Sequence, residues 1–161
     1  MDSLHAPWRL DYILSPKPEL KEGVFSRIAQ STEDIANLVV ARDRTCYAVL
    51  NRYPYNGGHL MVVPYKEVPD LNGLTDEELL DLWKLARRCM AALKAAMKPD
   101  GFNVGINLGK VAGAGIAEHL HIHIVPRWTG DTNFMPVIGQ TGVIPDALEA
   151  IAAKLREALV Q

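Results

Sequence analysis

The sequence predicts an α+β fold: an antiparallel sheet of about five strands with one long helix and a C-terminal helix. Three observations carry this. Short apolar, β-rich runs cluster in the first 64 residues with only brief links between them, which favours antiparallel pairing over a parallel crossover. One long stretch then repeats its apolar residues at helical spacing, and two further strand-like runs and a last helical pattern close the chain. With 161 residues, 48% of them hydrophobic and 22% charged, the chain is long and apolar enough to bury one core. The expected organisation is a single domain over 1–161, with an irregular N-terminal arm (1–23) and a C-terminal tail and helix (129–161).

Pro7, Pro16, Pro18 and Gly23 break any long element in the arm. Val24-Phe25-Ser26-Arg27-Ile28 suits either a short helical turn or a strand end. Leu38–Arg42 and Thr45–Asn51, split by Asp43-Arg44, read as an antiparallel hairpin. Asn51–Gly58 is a turn-rich loop, and His59–Val63 is a strand ended by Pro64. Thr75 with Glu78 three residues on forms a capping box, with acidic side chains at the positive helix end. Leu79, Leu82, Trp83, Ala86, Met90, Leu93 and Met97 then recur at threes and fours, so the helix runs to about Lys98 and stops at Pro99-Asp100-Gly101. Phe102–Asn107 and Glu118–Val125 are strands around a glycine-rich loop, Gly109–Gly115. A final helix starts near Pro145-Asp146, its apolar face Leu148, Ile151, Ala152, Leu155 and Leu159.

Composition removes several classes of function. Seventeen basic against 19 acidic residues give a net charge of −2, no footprint for nucleic acid or an anionic membrane. No run of apolar residues is long enough to span a bilayer, and the first residues lack the pattern of a secretory signal. Cys46 and Cys89 alone make neither a disulfide framework nor a four-cysteine zinc site, so a reduced, cytoplasmic protein is expected.

Three of the five histidines fall within five residues, His119-Leu120-His121-Ile122-His123. On a strand alternate side chains share a face, so the imidazoles point one way while Leu120, Ile122 and Ile124 point to the core. A metal centre is one use of such a face. Yet the Cα atoms of His119 and His123 would stand about 13–14 Å apart at strand spacing. Convergence on one ion at about 2.1 Å would need a strong bend or a pair with His59. Nucleophilic catalysis is the other use. A neutral imidazole attacks well near pH 7 when its second nitrogen is held by an acceptor. The loop Gly109–Gly115, just before the histidines, offers backbone N–H groups to an oxyanion.

On these residues the chain resembles the histidine-triad family of nucleotide hydrolases and transferases. Its signature, His-φ-His-φ-His-φ-φ, is filled by His119–Val125, and Val49–Arg52 and Gly58–Pro64 are similar to the fragile-histidine-triad branch. The likeness covers roughly Val24 to Arg127, and the stretch Pro126–Phe134 looks like that of bacterial members that include diadenosine tetraphosphate phosphorylases. The resemblance implies an antiparallel sheet with a long helix, usually in a homodimer. It also implies a nucleotidyl-histidine intermediate on the middle histidine, His121. His123 would contact the α-phosphate and leaving oxygen, and His119 would orient the site together with His59.

Carried over in the same way, Val24, Phe25, Ile28, Val49 and Met61 would form the base slot, although their bland reading is ordinary core. Asn51 would meet the ribose hydroxyls, Asn107 the phosphate and leaving group, and Gly113, Gly115 and Ile116 would line the nucleotide. Lys110 is a candidate for balancing polyphosphate charge. The acceptor phosphate would lie on Asn133, Gly139, Gln140 and Thr141, although Gly142 supplies no basic residue there. Two departures shape the reading. Gly23-Val24-Phe25-Ser26 stands where many bacterial members carry a zinc-binding CxxC, so no metal and no tightly bound cofactor is expected beyond Mg²⁺ arriving with the substrate. Ile116 stands where the nucleoside phosphoramidase branch has serine. The implied activity is cleavage of a dinucleoside polyphosphate, diadenosine tetraphosphate first, with phosphorolysis favoured over hydrolysis. A nucleoside phosphoramidase and a non-catalytic nucleotide-binding module are the alternatives. Partners would be the nucleotide and a second copy of the chain, with no nucleic acid and no membrane.

Overall fold

The computed structural model describes residues 23–131 and 147–160. The arm through residue 22, with Trp8 and Tyr12, and the four acceptor-phosphate candidates lie outside these residues. The described chain runs α1 (Val24–Gln30), β1 (Val39–Arg42), β2 (Cys46–Leu50), β3 (Leu60–Pro64), a 3₁₀ turn (Leu71–Gly73), α2 (Asp76–Met97), β4 (Gly101–Ile106), a 3₁₀ turn (Lys110–Ala112), β5 (Ile122–Arg127) and α3 (Leu148–Val160). The strands form one antiparallel sheet in the order β1-β2-β3-β5-β4. Helix α2 packs across β2, β3 and β5, and α3 packs on α2 and β1.

Local chemistry explains the elements. Thr75 Oγ1 accepts the Glu78 N–H while Glu78 returns a carboxylate to the Thr75 N–H, so α2 begins with both halves of the capping box. It ends at Lys98, whose φ of 51° turns the chain out of the helix. The Trp128 indole N–H caps this end by donating to the Met97 carbonyl. Along β5 the side chains alternate: Ile122, Ile124 and Pro126 are buried, while His123, Val125 and Arg127 are half-buried. Register then aligns Val49, Met61, His123 and Gly105 into one row across β2, β3, β5 and β4. That row is the floor of the site.

One open reading is decided and one expectation is corrected. Val24–Ile28 is helix, closed at Ser31 by N–H bonds to Arg27 and Ile28 carbonyls. The expected strand Glu118–Val125 is shifted to Ile122–Arg127, so only His123 of the three histidines lies within a strand. The cause is a change of hydrogen-bond partner. The Leu120 N–H bonds the Val68 carbonyl in a loop, and the His119 carbonyl is taken by the His121 side chain, so the ladder with β3 starts only at Ile122.

Candidate active site

Above the sheet row, α1 and the loop 113–116 enclose a cavity of about 390 Å³. It is lined by Val24, Phe25, Ile28, Val49 and Met61, by Asn51, by Gly113, Gly115 and Ile116, and by His121 and His123. Every apolar candidate for the base slot is therefore at the cavity wall, and Phe25, Val49 and Met61 are also core residues. A side chain can bury one face in the core and offer the other to a flat ligand. Asn107 instead lines a second cavity of about 350 Å³ that shares Tyr55 and His123 with the first. Lys110 lines neither.

The histidines are arranged by unambiguous donors and acceptors. His121 Nδ1 lies 2.9 Å from the His119 carbonyl, which can only accept, so Nδ1 carries the proton and Nε2 carries the lone pair. The ring is 6% exposed. Burial pushes the His121 pKa below its ordinary 6.5, outweighing the opposing bond to the His119 carbonyl, so the ring is neutral at pH 7. The Tyr55 N–H donates to His59 Nδ1 at 3.1 Å. The His59 proton therefore sits on Nε2, 2.9 Å from His123 Nδ1, and the His123 proton in turn sits on Nε2. Side by side, with ring centroids 4.6 Å apart, stand one imidazole with a basic Nε2 and one with an Nε2–H donor.

His119 is buried behind Phe25, whose ring meets both His119 and His121 at 5.5 and 5.0 Å. Its Nε2 donates to the Pro64 carbonyl at 2.8 Å, and Glu67, which accepts from Ser26, stands 4.0 Å from its Nδ1. The expected pairing of His119 with His59 is thus corrected. His59 holds His123, because β3 brings His59 beside β5 and the loop carrying His119 turns its side chain under Pro64.

Two features escape the sequence reading. Tyr55 stacks on His59 at 4.9 Å and 16° and forms the wall common to both cavities. Its signal is the pair of aromatic residues in the loop Asn51–Gly58, placed immediately before His59. The second is the way α1 is held. The Arg42 guanidinium donates to the carbonyls of Ile28, Ala29 and Ser31 and pairs with Asp34 at 2.7 Å. The Tyr47 hydroxyl donates to the Phe25 carbonyl. Near this clasp Leu38 lines the cavity with φ of 61°, a conformation costly for leucine that the surrounding bonds maintain. Among the described residues no group of three or more His, Cys, Asp or Glu side chains is placed to hold a metal ion.

An imidazole with a basic Nε2 beside an imidazole donor, both lining one largely apolar cavity, is an arrangement able to carry nucleotidyl transfer. Comparison with known proteins gives it a family: the HIT domain profile matches residues 32–130, and the chain belongs to the HIT (histidine-triad) family. The AP-4-A phosphorylase of Mycobacterium tuberculosis is 44% identical over 154 residues, covering 92% of this chain and 79% of that one. The bis(5'-adenosyl)-triphosphatase of Dictyostelium discoideum is 41% identical over 81 residues, 50% of this chain and 54% of that one. Among solved structures, a Zn-bound histidine triad family protein from Mycobacterium smegmatis superposes with a TM-score of 0.69 at 27% identity, covering 85% of this chain and 92% of that one.

Proposed function

We propose that this chain cleaves dinucleoside polyphosphates of the diadenosine tetraphosphate type by two displacements through His121, with inorganic phosphate as the second nucleophile. The observation that carries the reading is the His121 imidazole: neutral, proton fixed on Nδ1, and Nε2 lone pair at the mouth of the apolar slot. One nucleoside lies in the slot between α1 and the Val49–Met61 floor, with Asn51 at its ribose. His121 Nε2 attacks the α-phosphorus and forms a P–N bond while the P–O bond to the leaving nucleotide breaks. His123 Nε2–H hydrogen-bonds the departing oxygen, which leaves as the weakly basic terminal phosphate of ATP. In the second step hydrogen phosphate attacks the same phosphorus, its proton passing to solvent, and the P–N bond electrons go back to His121. The products are ATP and ADP.

Phosphorolysis draws support from the 44% identity to a protein named AP-4-A phosphorylase over most of both chains. Asn133, Gly139, Gln140 and Thr141 are the proposed acceptor-phosphate residues. Mg²⁺ enters only as the counter-ion of the polyphosphate. Two copies of the chain are proposed to associate. The outer edge of β4 supports this, because it ends the sheet with Asn103, Val104 and Gly105 exposed. The buried, unpaired thiols of Cys46 and Cys89 suit the cytoplasm. The test is product analysis of diadenosine tetraphosphate cleavage with and without excess phosphate, in EDTA and in Mg²⁺. ADP plus ATP only with phosphate is the expected result. AMP plus ATP in both tubes makes the chain a hydrolase, and nucleotide binding without cleavage makes it a binding module.

A further inference from the structure

We propose that Glu67 is a positioning residue: it locks the cavity wall α1 and the loop that aims His121 into one frame. The proposal rests on the reading above for its kinetic consequences, while the frame itself is visible in the bonding. It is built by one short segment, Pro64–Val68, which leaves the end of β3 behind the histidines. The Pro64 carbonyl takes the His119 Nε2–H at 2.8 Å, and the Val68 carbonyl takes the Leu120 N–H at 2.7 Å. Between them Glu67 accepts from the Ser26 hydroxyl of α1 and reaches to 4.0 Å from His119 Nδ1. One segment therefore grips the chain whose His119 carbonyl fixes the His121 proton, and also the helix that walls the cavity.

The chemistry of His119 Nδ1 calls for such a neighbour. The ring is 1% exposed, and with Nε2–H committed to Pro64, Nδ1 of the neutral ring is an acceptor. Among the described residues it is the one buried side-chain nitrogen or oxygen without a hydrogen-bond partner. A buried acceptor with no donor is costly, and Glu67 is the polar side chain that faces this one. Closing the remaining gap takes one hydrogen, carried by either partner, and makes Ser26, Glu67 and His119 a continuous chain of bonds. The carboxylate also meets α1 at its start, since a Cβ on Gly23 would lie 3.5 Å from Glu67 Oε2. Arg42 does not duplicate this tie, because it holds the other end of α1 through the carbonyls of Ile28, Ala29 and Ser31. Phe25, next to Ser26, completes the coupling. Its ring meets both His119 and His121, so a shift of α1 is passed to the two imidazoles.

The test uses the full chain, three variants and two kinds of readout. The Glu67 side chain is 44% exposed, so truncating it opens no cavity in the core. Glu67→Ala loses both grips and is expected to lower kcat for diadenosine tetraphosphate about tenfold. It is also expected to raise the Kd for AMP, measured by calorimetry, about fivefold. Ser26→Ala frees α1 alone, so AMP binding is expected to weaken to a similar extent with a much smaller loss of kcat. Glu67→Gln is expected to restore both values, because its amide oxygen accepts from Ser26 and its NH₂ donates to His119 Nδ1. The second readout needs no substrate: two-bond proton–nitrogen spectra of the histidine rings report the tautomer of His121. Wild type and Glu67→Gln are expected to show a single Nδ1–H form, and Glu67→Ala exchange between two forms. A Glu67→Ala protein that keeps its kcat, or keeps the single Nδ1–H form, overturns the proposal, and so does a loss that Glu67→Gln fails to restore. A wild-type chain that spares diadenosine tetraphosphate overturns the substrate reading instead, and AMP affinity with the ring spectra then decides the role of Glu67.

Discussion

At the scale of the residue, what sets His121 apart is the fixed position of one proton. With Nδ1–H committed to the His119 carbonyl, the lone pair has only Nε2 to occupy, and burial keeps it unprotonated. Replacing His121 with Asn is expected to cut kcat by at least about 10³-fold while nucleotide affinity stays within a few-fold, measured by steady-state kinetics and calorimetry. Substantial residual turnover would reassign the nucleophile. The acid limb of kcat/KM is expected below 6.5, because the lowered pKa keeps the ring neutral to a lower pH than a free imidazole. His59 acts one bond further back. His59→Phe removes the donor that fixes the proton of His123 on Nε2, and a loss on the order of 10²-fold in kcat with little change in KM is expected.

At the scale of the element, the site is a wall held by polar bonds over a floor held by packing. Phe25 is the one buried side chain of α1, whose Val24 and Ile28 face the cavity, so the Arg42 clasp carries much of its attachment. Arg42→Ala removes the guanidinium from three carbonyls and from Asp34, leaving the end of α1 to frayed or solvated carbonyls. A stability loss of about 1–3 kcal/mol, a weaker nucleotide affinity and faster amide exchange confined to α1 are expected. The turn into β3 is less forgiving. A Cβ at Gly58, where φ is 79°, would lie 2.8 Å from Met97 Sδ and 3.2 Å from Pro126 Cγ. Gly58→Ala is expected to lower the urea midpoint by the equivalent of about 1–3 kcal/mol. The elements themselves were largely legible: the capping box, the apolar spacing of α2 and the short β runs are local signals, and each element formed near its expected place. The offset of β5 was not legible, because it depends on the bond from Leu120 to Val68, 52 positions away, which no local pattern records. The partner of His59 and the shared wall at Tyr55 were hidden for the same reason. The base-slot residues were legible only through resemblance, since Phe25, Val49 and Met61 are as apolar as any core.

At the scale of the whole molecule, the buried imidazole that serves chemistry also ties stability to pH. The native His121 pKa lies below 6.5 and the unfolded chain's lies near it, so between the two values the unfolded state binds a proton that the native state refuses. Stability is therefore full above about pH 6.5 and declines as pH falls from there through the lower native value, by at most about 1.4 kcal/mol per pH unit for this one group. Carboxylates act in a separate window. The Thr129 N–H holds the Asp100 carboxyl below its ordinary 3.8, and at Asp81 the bonds from Thr45 and Arg44 outweigh a burial that pushes it upward. What these two contribute is present above about 3.8 and is lost as pH falls further. The expected result is a two-stage loss on acidification, with a first fall beginning near 6.5. His121→Asn should flatten that first stage and leave the second unchanged, as measured by denaturant unfolding at half-unit pH steps. If the variant keeps the first stage in full, the burial of a neutral His121 is not what links folding to protons in this range. A ligand that fills the slot adds a further check. By binding the native state with His121 neutral, a nucleotide should deepen stability most above 6.5 and lose that advantage in step with the imidazole's protonation.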